Sequence, residues 1–188
     1  MRVIAGEARR LKLVTPKGDE TRPTSDKTKE TLFNVLSPYI YSDTCFLDLY
    51  SGSGGIGIEA LSRGAATAVF VEKSKEALSC IETNLKTCHF EERGRIVKGD
   101  VGAALHTLNG RESFDIVFMD PPYNTGAEQG VLSLLSGSKL LREDGLVVVE
   151  ASNETDFSYL EGLGFTIIKQ KIYKNNQHVF IQRSSKTD

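Results

Sequence analysis

From Cys45 onward the chain alternates short apolar, β-rich runs with stretches long enough for a helix, and this alternation restricts it to a largely parallel sheet covered by helices. The runs are CFLDL at 45–49, AVFVE at 68–72, RIVKGD at 95–100, FDIVFMD at 114–120, LVVVEA at 146–151, FTIIKQKIY at 165–173 and HVFIQR at 178–183. They are nearly continuous in apolar residues rather than alternating, as strands buried on both faces are. Between them, Lys75–Thr87 spaces Ala77, Leu78, Ile81 and Leu85 at helical intervals, with Lys and Glu on the other face. Only Lys174-Asn175-Asn176-Gln177 separates the last two runs, so these should form an antiparallel hairpin. The expectation is an α/β, Rossmann-like fold with a mostly parallel seven-stranded sheet that ends in that hairpin.

The chain has 188 residues, enough for one full core and too few for two ordinary domains. One domain is therefore expected over 1–188, with residues 1–40 as an appendage to a core of 41–188. In the appendage, Arg2–Ala5 and Leu11–Val14 are predicted to pair as a small hairpin. Asp26–Leu36 is predicted to be a helix with Thr28, Leu32, Phe33 and Leu36 as its apolar stripe, ended by Ser37-Pro38. No secretory leader is recognisable, and no run approaches the ~18 apolar residues needed to cross a bilayer, so a soluble, cytoplasmic protein is expected. Cys45, Cys80 and Cys88 include no CxxC pair, which suggests neither a disulfide framework nor a metal site. The net charge of −2 conceals a polarity: residues 1–40 hold eight Lys/Arg against five Asp/Glu, and residues 169–188 hold five against one, around an acidic centre. Basic ends suit contact with phosphates, and the cluster Arg2, Arg9, Arg10 and Lys12 is the candidate for it.

The most informative local motif is Leu47-Asp48-Leu49-Tyr50-Ser51-Gly52-Ser53-Gly54-Gly55-Ile56-Gly57, a strand that enters a glycine-rich turn and then a helix. Glycines there let the backbone turn tightly and approach a ligand closely. Gly52, Gly54 and Gly57 also fit a dinucleotide fingerprint, with Glu72 at the end of the next strand placed to hold a ribose. Asp48 favours a different ligand. A carboxylate just before the turn repels a pyrophosphate but attracts the charged amino-acid portion of a sulfonium cofactor, S-adenosylmethionine. Asp100, after the third strand, suits an adenine amino group, and it equally suits the N-cap of a helix over Val101–Leu108.

Asp120-Pro121-Pro122-Tyr123 follows the fourth strand and points to a reaction. The exocyclic amine of a nucleobase is a poor nucleophile because its lone pair is delocalised into the ring. Hydrogen bonds from that amine to Asp120 and to the Pro121 carbonyl favour a pyramidal nitrogen. The prolines fix the backbone so that both acceptors converge, and Tyr123 can stack on the base. Methyl transfer is then governed by positioning and needs neither a metal nor a covalent intermediate. A target base in folded RNA has to be unstacked to reach Asp120.

With Arg22-Pro23-Thr24, Lys29-Glu30-Thr31-Leu32-Phe33-Asn34, the stretch LDLYSGSGGIGIEALSRGA at 47–65, Val71-Glu72 and Asp120 to Tyr123, the chain resembles the RsmD family of bacterial ribosomal RNA guanine-N2 methyltransferases over nearly its whole length. The resemblance implies a class I methyltransferase fold. It implies that S-adenosylmethionine binds at Asp48, at the turn with Tyr50, Gly52, Ser53, Gly54 and Gly57, at Glu72 with Lys73, and at Asp100 with Val101. Asp120, Pro121 and Tyr123 would be catalytic, with Pro122 beside them against the guanine, and the loop of Arg22 and Thr24 would close over the site. Arg2, Arg9, Arg10 and Lys12 would meet ribosomal RNA or an assembling small subunit, and nothing requires more than a monomer. A departure is the turn at 174–177, where a glycine is expected. Three alternatives stay open: an adenine-N6 or DNA-directed methyltransferase, an NAD(P)-dependent oxidoreductase, and a non-catalytic nucleotide-binding module.

Overall fold

A computed structural model describes residues 1–17 and 25–185. Seven strands form one sheet in the order β3-β2-β1-β4-β5-β7-β6. They are β1 (Cys45–Leu49), β2 (Thr67–Glu72), β3 (Gly94–Lys98), β4 (Phe114–Met119), β5 (Leu141–Ser152), β6 (Phe165–Ile172) and β7 (Asn176–Arg183). The first five are mutually parallel and β7 runs antiparallel to both β5 and β6. The helices are α1 (Asp26–Leu36), α2 (Gly55–Ser62), α3 (Lys75–Cys88), α4 (Val101–Leu108) and α5 (Ala127–Ser136). Among the described residues, no helix is long and apolar enough to cross a membrane.

Alternate strand residues feed two separate cores. Leu47, Leu49, Val117, Val147, Val149 and Ile181 pack with α4 and α5 on one face. Phe46, Phe70, Phe118, Val148 and Phe180 pack with α1, α2, α3 and the N-terminal Val3 and Leu13 on the other. Each of these buried side chains contributes about 1.5–3 kcal/mol, and burial on both faces explains the nearly continuous apolar runs. Because β1 is flanked by β2 on one side and β4 on the other, the connections diverge there. At such a switch point the ligand crevice of these sheets lies at the carboxyl ends of the flanking strands, here β1 and β4.

Three local features differ from the sequence reading. Residues 2–5 and 11–14 are held by a single bridge, Arg2 to Lys12, rather than by a two-stranded ladder. Val3 N–H to Leu11 O at 2.9 Å and Leu13 N–H to Met1 O at 3.1 Å make that bridge, and Arg10 N–H to Val3 O at 2.9 Å closes the loop between them. In α1 the buried fourth member of the stripe is Lys29 instead of the half-buried Thr28. Between β5 and β6 the chain makes a 3₁₀ turn, Ser158–Leu163, in place of a full helix. Asp156 initiates it by accepting from Ser158, and Gly164 with φ +74° ends it. The β6–β7 connection closes without glycine: Tyr173 N–H donates to Asn176 O at 2.8 Å across Lys174 and Asn175.

Candidate active site

The turn after β1 carries Tyr50 at φ +57° and Gly52 at φ +55°, and Gly54, the N-cap of α2, has φ +78°. Each conformation lies in the left-handed region that favours glycine, and Tyr50 occupies it without that freedom. A Cβ on Gly57 would lie 2.4 Å from Phe70 Cε1, so this position is set by helix-to-strand packing. A Cβ on Gly52 would meet nothing within 4 Å, so the turn presents bare backbone to open space. That is the cradle a ligand needs.

Asp48 lies beneath the turn at 1 % exposure, and its Oδ2 accepts from Gly57 N–H at 2.9 Å. Burial raises its pKa well above the usual carboxylate range against that single bond, with Glu72 and Asp120 adding repulsion. Glu72 accepts three backbone N–H bonds, from Gly52 at 2.9 Å and from Lys73 and Ser74 at 2.8 Å each. It thereby links the turn to the start of α3, while the Lys73 side chain is exposed. Asp100 caps α4 by accepting from Gly102 N–H at 2.9 Å and faces Tyr50, whose hydroxyl is pushed up by burial and then by Asp100. Val101 is 4 % exposed and packs in the core as the first residue of α4.

Across the crevice, Asp120 follows the last residue of β4. Burial, then the Glu150 carboxylate, pushes its carboxyl up to about 8. Pro121 is buried, whereas Pro122 and Tyr123 are exposed and free to meet a large substrate. The Tyr123 hydroxyl is pushed up to about 12 by burial and by the nearby Glu150 and Asp120 carboxylates.

Three residues of this region escaped the sequence reading. Glu150, near the end of β5, is 6 % exposed, and His178 on β7 is fully buried. His178 Nε2 and Glu150 Oε2 are 3.0 Å apart, and Asn176 Nδ2 donates to Glu150 Oε1 at 2.6 Å. The usable signal was a carboxylate inside a run of valines: a charge buried on both sides must have partners. Asn84 is the third. From α3 its Nδ2 donates to Ser53 O and to Val14 O, both at 2.9 Å, tying the N-terminal segment to the glycine turn.

Arg2 faces Lys12 across the isolated bridge, with Arg9 and Arg10 in the loop between them. Arg2 is paired with Asp26 at 2.8 Å, so its charge is largely compensated. Arg9, Arg10 and Lys12 are exposed, and none has an ion pair among the described residues. Ala8 N–H donates to Ser62 Oγ at 3.0 Å, which places Arg9 and Arg10 near the far end of α2 from the glycine turn. Arg22 and Thr24 lie outside the described residues.

Comparison with known proteins gives this architecture a family. Residues 1–182 match the family model described as conserved hypothetical protein 95. The ribosomal RNA small subunit methyltransferase D of Haemophilus influenzae is 36% identical over 91% of this chain and 88% of its own. The protein of the same name from Escherichia coli is 36% identical over 82% of this chain and 76% of its own. The solved structure of yhhF from Escherichia coli superposes with a TM-score of 0.84 at 31% identity, covering 99% of each chain. The fold is the class I methyltransferase fold, and the chain belongs to the conserved hypothetical protein 95 family, that of the ribosomal RNA small subunit methyltransferases D.

Proposed function

We propose that this protein is an S-adenosylmethionine-dependent methyltransferase acting on the N2 amino group of a guanine in small-subunit ribosomal RNA. The observation that carries the reading is Asp120 with its Pro-Pro-Tyr continuation at the carboxyl end of β4, across the crevice from a glycine turn that offers open backbone. Relatives named as small-subunit ribosomal RNA methyltransferases support the RNA substrate. The chain acts as one unit, with residues 1–40 as its appendage.

The residues present fit the cofactor. The Gly52–Gly54 backbone would carry its amino-acid end above Asp48, Glu72 would exchange a turn N–H for a ribose hydroxyl, and Tyr50 and Asp100 would flank the adenine. When bound, the cofactor supplies an electrophilic methyl group. Asp120 and the Pro121 carbonyl accept the two amine hydrogens and direct the nitrogen lone pair toward it. Pro121 and Pro122 hold those acceptors rigid, and Tyr123 stacks on the ring, a contact worth about 1–3 kcal/mol. Without substrate, Asp120 holds a proton up to about pH 8. In the complex, the amine hydrogens and the positive charge that develops as the bond forms favour its ionised form, which stabilises that charge and is placed to take the departing proton.

The test is transfer of labelled methyl from S-adenosylmethionine to small subunits from cells lacking the protein, followed by nucleoside analysis. Label is expected in N2-methylguanosine, with a loss of at least about 100-fold in Asp120→Ala, the scale of removing a positioned transition-state acceptor. Label in methyladenine, or transfer only to DNA, refutes the guanine reading and keeps the methyltransferase. Absence of transfer to any nucleic acid refutes both.

A further inference from the structure

The carboxyl edge of the sheet places a second carboxylate next to the one already assigned. Met119 pairs with Val149 in the parallel register of β4 and β5, so Asp120 and Glu150 are next-door positions in one row across the sheet. Adjacent strands lie about 4.8 Å apart. Phe118 and Val148, two residues earlier on each strand, share one core, so Asp120 and Glu150 project from that same face. Glu150 in turn pairs with His178 across the antiparallel β5–β7 register.

Glu150 is held rather than free. Its Oε2 faces His178 Nε2 at 3.0 Å, and Tyr173 Oη stands 3.3 Å from His178 Nδ1. A single imidazole tautomer satisfies this chain: Nε2–H donates to Glu150, and Nδ1 accepts from the tyrosine hydroxyl. Asn176 Nδ2 fixes the other carboxylate oxygen at 2.6 Å. Two ionised oxygens have about four acceptor directions, so these bonds leave Glu150 with acceptor capacity on the side of Tyr123 and Asp120.

We infer that Glu150 is the specificity-determining residue of the target pocket, accepting the N1–H of guanine while Asp120 accepts from its N2 amine. This rests on the guanine-N2 reading and supplies a reason for it. On the Watson–Crick edge of guanine the neighbour of the 2-amino group is a second donor, N1–H. Adenine and cytosine present an amine beside a ring-nitrogen lone pair, and that lone pair would point at the Glu150 carboxylate. Two neighbouring carboxylates therefore accept guanine and repel the other amino-bearing bases, which the Asp-Pro-Pro-Tyr motif alone does not do.

The probe is 2-aminopurine, which keeps the 2-amino group and replaces N1–H with a lone pair. The modified position is mapped with wild-type enzyme, and subunits are reconstituted with guanine or 2-aminopurine there. Wild type should favour guanine by at least about 10- to 100-fold in kcat/KM, the range for one hydrogen bond to a charged group. Glu150→Gln, whose amide can donate to the lone pair, should lose a similar factor on guanine. Its preference over 2-aminopurine should shrink to a fewfold, with S-adenosylmethionine affinity unchanged. Wild type that methylates both bases within threefold overturns the inference without any variant, and so does a Gln variant that keeps the wild-type ratio. N2-methylguanosine as the wild-type product together with either result leaves the proposed function standing. Methyladenosine as that product removes both.

Discussion

Burial and the Glu150 carboxylate both oppose ionisation of Asp120, and together they move its titration from the usual 3.8 up to about 8. In the unfolded chain the same group loses its proton near 3.8. Between those pH values the folded protein holds a proton that the unfolded chain has released, so stability falls as pH rises across the window. Asp120→Asn removes the ionisation while keeping the shape. The variant should match wild type near pH 4 and become progressively more stable than it up to about pH 8, by on the order of 1–3 kcal/mol. Urea denaturation at pH 4, 6 and 8 measures the difference, and a gap that does not widen with pH would refute the assignment. The same side chain is thus a liability in the empty fold and, in the proposed function, the acceptor of the reaction, as expected where stability is traded for function. Asp120 was legible because its motif is contiguous. Glu150 and His178 were not, because they lie 28 residues apart and meet only through strand register.

At the scale of elements, the appendage is fastened to α2 by a buried charge cluster. Lys29 of α1 and Glu59 of α2, both fully buried at the side chain, stand 3.2 Å apart, and Arg63 reaches Glu59 at 2.8 Å. Glu59 also accepts from Ile4 N–H at 2.9 Å and Ala5 N–H at 3.0 Å, and Lys29 donates to Arg2 O at 2.5 Å. Glu59 therefore fixes the first residues of the chain against the helix that follows the glycine turn. Periodicity located α1 correctly but assigned Thr28 to the stripe, since a lysine reads as solvent-facing until its partner is known. Glu59→Ala leaves the Lys29 cation buried without its partner, and a cost of about 3–5 kcal/mol is expected. Pairing it with Lys29→Met should recover most of that loss, because an apolar replacement of the whole pair avoids the orphaned charge. Denaturation of the two variants separates these cases: equal losses would mean that the pair itself, rather than the stranded lysine, sets the cost.

Over the whole molecule, the seven strands buried on two faces, the mostly parallel sheet and the terminal hairpin follow from the apolar runs and spacers. The distribution of positive charge over the surface does not, because exposure and pairing depend on tertiary neighbours. Arg2 illustrates this, being spent on Asp26, whereas Arg9 and Arg10 stay exposed near the far end of α2. That helix has 8 residues and spans about 12 Å, so phosphates met by these arginines lie well away from a base held at Asp120. They can contribute to holding the RNA but not to aligning the amine. Arg9→Ala with Arg10→Ala should weaken RNA binding and reduce the slope of log affinity against log salt by about 1.4–1.8, the release of roughly two counterions. KM should rise while kcat at saturating RNA and affinity for S-adenosylmethionine stay unchanged. Titrating small subunits at several salt concentrations reads the slope, and steady-state kinetics reads the split. A fall in kcat with an unaltered slope would place the two arginines in catalytic alignment instead of phosphate contact, and the RNA path would then have to be drawn over a different face.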